Sequence, residues 1–122
     1  MFTSGGVSIV KIGLFQVLIT LVGFFIFGAN VAQATNLAGY PGSGLMSLAN
    51  SPYIVTGDIT VNNGNTLTIE PGVIVKMQSG RQISVQNGQL IIGSASNPSP
   101  VVITSYKDDA YGGDTNNDGA TS

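Results

Sequence analysis

The chain has 122 residues, room for one small domain, and carries 4 basic against 6 acidic residues for a net charge of −2. It contains no Cys, His or Trp, which excludes disulfides, thiol chemistry, ordinary transition-metal sites and any serine triad built on histidine. So few cations also leave no Lys/Arg cluster to neutralise phosphate, so neither nucleic acid nor an anionic lipid surface is an expected partner.

Residues 1–34 read as an α-helical secretory signal segment. Lys11 supplies the positive flank, and an uncharged apolar run from Ile12 to Ala29 follows it. Val31-Ala32-Gln33-Ala34 then sets small residues at the two positions that a signal peptidase reads, so cleavage after Ala34 and a secreted or cell-surface location are expected. The apolar run also approaches the roughly 18 residues of an uncleaved membrane anchor. Gly28 and the Ala-x-Ala site, in that order, favour cleavage. Beyond this segment Lys76, Arg81 and Lys107 face all six acids. Membrane contact is expected only through the signal segment.

Residues 35–52 are dense in Gly, Pro and Ser and show no period, which predicts a linker. Within it Leu45, Met46 and Leu48 are candidates to cap the open end of a core that follows.

Residues 53–105 carry the strand signals. Ile59 and Val61 alternate with Asp58, Thr60 and Asn62; Leu67 and Ile69 alternate with Thr66, Thr68 and Glu70; Val73, Val75 and Met77 alternate with Ile74 and Lys76. A period of two sends one set inward and the other to water. The block then recurs. Ile83, Val85, Asn87 and Gly88 fall 24 positions after Ile59, Val61, Asn63 and Gly64; Leu90 and Ile92 repeat Leu67 and Ile69 with one residue deleted; Val101 and Ile103 repeat Val73 and Val75 after an insertion. Three short strands per repeat of this length predict an all-β parallel β-helix, a solenoid of about two to three coils. Asn63 and Asn87 are expected to stack at one corner, where Asn tolerates left-handed backbone angles and Gly follows for the same reason. The rival reading is a hairpin, because Asn-Gly between alternating strands is also a strong hairpin signal. The recurrence in register and the extra corner at Glu70-Pro71-Gly72 favour the solenoid.

The runs TLTIEPGVIVKM, VVITSYKDD and GGDTNNDG resemble the first coils of right-handed parallel β-helix proteins of the pectate-lyase-like fold, which are large secreted or surface-exposed bacterial proteins. The resemblance covers residues 52–122. It implies that the chain is the amino-terminal piece of a longer protein or a truncated reading frame, with residues 106–122 an acidic Gly/Asn/Asp loop leading to further coils.

The loop also carries chemistry of its own. Asp114-Thr115-Asn116-Asn117-Asp118-Gly119 fits D-x-[DN]-x-[DN]-G, the opening of a calcium loop. Asp114, Asn116 and Asp118 supply side-chain oxygens, Ala120 a carbonyl, and Asp108 or Asp109 an acid from the other side. Structural calcium is the one cofactor expected. No catalytic residue is assigned. Asp108, Asp109 and Glu70 do not form a pair held on two rigid elements, as glycoside hydrolysis needs. Lyases of the resembled fold use basic residues, and Lys76, Arg81 and Lys107 read as ordinary surface cations, Lys76 pointing outward between Val75 and Met77. Of Tyr40, Tyr53, Tyr106 and Tyr111, the pair flanking the acidic loop, Tyr106 and Tyr111, is the best candidate for stacking on sugar. The expected function is a non-catalytic secreted or cell-surface module for structure, adhesion or carbohydrate contact, its partners extracellular polysaccharide or cell-surface components. The alternative is a fragment of a polysaccharide lyase or glycoside hydrolase with its active site on absent coils.

Overall fold

The computed structural model describes residues 33–119, which lie within one compact unit. The expected signal helix falls outside them, apart from Gln33 and Ala34. Among the described residues no helix is long and apolar enough to cross a membrane.

Nine short strands follow one another: β1 (Thr35–Leu37), β2 (Leu45–Met46), β3 (Tyr53–Val55), β4 (Ile59–Val61), β5 (Thr66–Ile69), β6 (Ile74–Met77), β7 (Ile83–Val85), β8 (Gln89–Ile92) and β9 (Val102–Ser105), with a single 3-10 turn at Leu48–Asn50. They form three sheets in the orders β1-β3-β6-β9, β2-β5-β8 and β4-β7. Every pairing between these strands is parallel. β1 stacks on β3, and from β2 onward strands three apart in sequence stack on each other, so the chain winds round one axis as a parallel β-helix. The register is that of the sequence repeat: Ile59 lies under Ile83, Val61 under Val85, Leu67 under Leu90, Ile69 under Ile92 and Val75 under Ile103. The hairpin alternative is ruled out by these ladders. Asn62-Asn63-Gly64-Asn65 is a tight turn, closed by Asn65 N–H donating to Asn62 O at 3.0 Å, between two strands of different sheets.

The inward positions make the core. Met46, Tyr53, Val55, Ile59, Val61, Leu67, Ile69, Val73 and Val75 are buried together. Three of the corners, at Gly64, Gly72 and Gly80, share one geometry, a left-handed glycine in a turn closed by the next residue's N–H. In Glu70-Pro71-Gly72-Val73 the Val73 N–H donates to Glu70 O at 3.2 Å and Gly72 has φ +81°, the type II arrangement that Pro then Gly favours.

Two expectations need correction. Residues 35–52 are not a linker. Thr35–Leu37 pairs with β3 and Leu45–Met46 with β5, and Met46 is fully buried in the core, whereas Leu45 and Leu48 stay exposed. The segment builds the first turn of the solenoid, and its backbone N–H and C=O groups find ladder partners although its side chains carry no alternation. The left-handed conformation at this corner falls on Gly64 (φ +80°) and Asn87 (φ +58°), as expected of them, but not on Asn63. The deleted residue falls before the corner, so Asn87 takes the slot of Gly64. Gly88 serves a different purpose: a Cβ there would meet Val61 O at 2.6 Å, so only glycine lets the third turn settle on the second.

The two ends of the stack differ. At the last described turn Val85, Ile92 and Ile103 sit at inward positions yet are 46%, 51% and 49% exposed, because among the described residues no strand lies above them. At the other end the chain folds over itself: Tyr40 Oη donates to Thr66 O at 2.7 Å, and Gly57 lies so close to Ala38 that a Cβ would strike its carbonyl.

Candidate functional site

The outer face of the four-stranded sheet carries Asn36, Ile54, Lys76 and Thr104 in register across β1, β3, β6 and β9. Alternation points Lys76 outward, as the sequence predicts, but the side chain is not at the surface: it is 0% exposed. After β9 the chain turns back over this face. Gly112, at φ +74°, lies against Pro52 and the Lys76 stem, where a Cβ would sit 3.2 Å from Pro52 Cβ and 3.5 Å from Lys76 Cε. The absence of a side chain at Gly112 is what permits this approach. Lys76 Nζ donates to Gly113 O at 2.5 Å and to Thr115 Oγ1 at 3.1 Å. Tyr106 Oη donates to Thr115 O at 3.4 Å, from the start of the same loop. The ammonium thus exchanges water for two oxygens of the loop that buries it, and a buried charge needs such partners.

The carboxylates divide between two tasks. Thr104 Oγ1 donates to Asp108 Oδ2, and Ala110 N–H donates to Asp108 Oδ1 at 3.0 Å, so Asp108 closes the turn after β9. Asp109, Asp114 and Asp118 converge, each offering a carboxylate oxygen within 4.8 Å of the others. Asp114 also holds the loop's shape: Oδ1 accepts Asp118 N–H at 3.2 Å and Oδ2 accepts Gly119 N–H at 3.1 Å. Of the residues expected to bind calcium, Asp114 and Asp118 come together and Asp109 joins them. Asn116 turns its Nδ2 to Asp118 Oδ2 at 2.6 Å and its Oδ1 to Asp118 N–H at 3.4 Å. Ala120 lies outside the described residues. The three carboxylates suit a hard cation that takes oxygen ligands. Asn116 would have to turn its amide over to contribute, because an N–H group cannot ligate a cation.

The remaining candidates are scattered. Glu70 Oε2 accepts Leu48 N–H at 2.8 Å, and Asp58 Oδ1 accepts Gln82 N–H at 3.3 Å with Arg81 Nη1 3.9 Å away. Tyr53 belongs to the core and binds Ser47 through its hydroxyl, and Tyr40 is spent on Thr66. Tyr111 is exposed and Tyr106 half-buried. Tyr106 lines a groove of about 780 Å³ at the ends of β6 and β9, with Met77, Gln78, Ser105 and Lys107. Sequence reasoning missed the burial of Lys76, since nothing local in Val75-Lys76-Met77 signals a loop some forty residues later. Gly112-Gly113 is the one hint, a pair slim enough to lie flat on a sheet.

Parallel strands stacked in three sheets, with a loop folded over one of them, define a β-helix domain. The family model described as the pectate-lyase like beta helix domain matches residues 43–117, and the chain belongs to that family. No curated protein and no solved structure matches the chain. The family match begins at Ser43, inside the first turn of the solenoid that the sequence alone reads as linker.

Proposed function

We propose that the chain is a non-catalytic β-helix module, exported by residues 1–34, that serves as a structural or adhesive element touching extracellular polysaccharide. The fold alone does not decide this, because the same solenoid hosts enzymes and scaffolds. The observation that carries the reading is Lys76. Among the described residues it is the one base on a strand of the solenoid, and its ammonium is buried and bonded to the loop above it rather than turned toward a cleft. Glu70 and Asp58 are likewise engaged with backbone N–H groups of their own chain. A general base must reach a substrate proton within hydrogen-bond distance, and these side chains reach the protein instead.

The groove beside Tyr106 is where a sugar chain would rest, with an aromatic ring and the amide and hydroxyl of Gln78 and Ser105 around it. The Asp109, Asp114 and Asp118 cluster is the place for a structural calcium ion that fixes the loop. Incubation with acidic and neutral polysaccharides, with and without calcium, tests the reading. Retention on a polysaccharide matrix without new reducing or unsaturated chain ends is the expected result. Chain scission would replace it with the lyase or hydrolase alternative. A reporter fused after residue 34 should be exported and cut behind Ala34.

A further inference from the structure

Three steps in the described residues join an Asn or Asp to Gly: Asn63-Gly64, Asn87-Gly88 and Asp118-Gly119. Such steps are prone to one intramolecular reaction, because glycine offers no side chain to shield its amide nitrogen from the preceding side-chain carbonyl. The reaction needs the glycine N–H free of a hydrogen bond and its backbone able to swing toward that carbonyl. The fold treats the three steps differently. Gly119 N–H is held by Asp114 Oδ2 at 3.1 Å. Gly88 is wedged on the turn below, with the place of its missing Cβ 2.6 Å from Val61 O and 2.7 Å from Asn62 O. Gly64 has open space around it, and among the described residues neither Asn63 nor Gly64 makes a hydrogen bond. Both are exposed, at the middle of the turn that Asn65 N–H closes onto Asn62 O.

We propose that Asn63 is a site of spontaneous backbone modification, and that Asn87, in the Asn-Gly step of the next turn, is protected by the stacking of the third turn on the second. In the reaction the Gly64 nitrogen loses its proton to base and attacks Asn63 Cγ. A C–N bond forms, the Cγ–Nδ2 bond breaks, and the departing nitrogen takes up a proton and leaves as ammonia. Water then opens the five-membered succinimide at either carbonyl, giving aspartate or isoaspartate. Both products add a negative charge to an already acidic chain. The isoaspartyl form also inserts one carbon into the main chain, at an exposed corner where β4 and β5 can keep their ladders. An exported protein that persists outside the cell would accumulate this change with age.

The test is incubation of the folded full-length chain in mildly alkaline buffer, followed by digestion under acidic conditions and peptide mapping by mass spectrometry. Conversion at Asn63 should outrun conversion at Asn87 by about tenfold or more, the factor that about 1.4 kcal/mol of added restraint on the attacking amide would give. Isomerisation at Asp118 should be slower still. In concentrated urea the two asparagines should react at similar rates, since each then sits in an unrestrained Asn-Gly step. Equal rates in the folded chain, or a difference that persists unchanged in urea, would overturn the proposal.

Discussion

Ile69→Ala and Ile92→Ala make the same chemical change at the same place in consecutive turns, yet their costs should differ. The two residues are register partners, and Ile69 is 0% exposed while Ile92 is 51% exposed. Truncating Ile69 removes three carbons from a filled interior at about 0.8 kcal/mol each and leaves a cavity between two turns, for a total of about 2–5 kcal/mol. Ile92 has neighbours only below, so about half of its transfer term is at stake and no enclosed cavity forms, which puts its cost at about 1 kcal/mol. The gap of about 2 kcal/mol would separate the two urea midpoints by about 1 M at an m-value of about 2 kcal/mol/M. Far-UV circular dichroism at several protein concentrations reads both midpoints and shows whether the m-values agree. Equal costs at every concentration would refute the reasoning, because Ile92 would then be as enclosed as Ile69 and the last turn would not be open.

Other substitutions probe the contacts between turns and loop. Gly64→Ala meets open space and costs about 1–2 kcal/mol, the strain of a left-handed residue with a Cβ. Gly88→Ala should cost more, since its Cβ strikes the backbone of Val61, and a reversed order of the two midpoints would contradict the stacking. Lys76→Met keeps most of the stem and removes the ammonium, so hydrogen exchange should quicken at Gly112–Thr115 while β3 and β6 stay protected; unchanged loop protection would remove Lys76 from its role as anchor. Calcium titration followed by calorimetry should show binding in the sub-millimolar to millimolar range of extracellular modules, lost in Asp114→Asn. No heat at several-fold higher calcium would dismiss the ion. Sedimentation should reveal concentration-dependent association through the apolar last turn, and Ile103→Lys should abolish it.

The parts of this fold legible in the sequence are those whose partners repeat. Ile59 and Ile83, or Leu67 and Leu90, face the same interior from successive turns, so the axial stacking leaves a periodic trace that can be read without coordinates. Thr35–Leu37 has no such trace. It is a strand because β3 supplies it with hydrogen bonds, a tertiary cause that a stretch of mixed polar and apolar residues does not announce. The same distinction runs through the candidate site. Asp114 and Asp118 are four residues apart and their convergence follows from local turn chemistry, whereas Asp109 reaches them only because the loop folds back. Lys76 is the extreme case. Its alternation gives the direction of the side chain correctly, but its burial depends on Gly113 and Thr115, far along the chain, and no pattern near residue 76 encodes them.

The Lys76 anchor also has a mechanical meaning. Tension applied to the chain beyond Gly119 meets the bonds of Asp118 and Gly119 to Asp114 and then the two ammonium bonds at Thr115 and Gly113, all before any pull reaches β9. The outermost strand is therefore shielded from peeling by a sacrificial fastening one sheet position further in. That order of rupture lets a small loop yield and re-seat while the wound ladder beneath it remains whole.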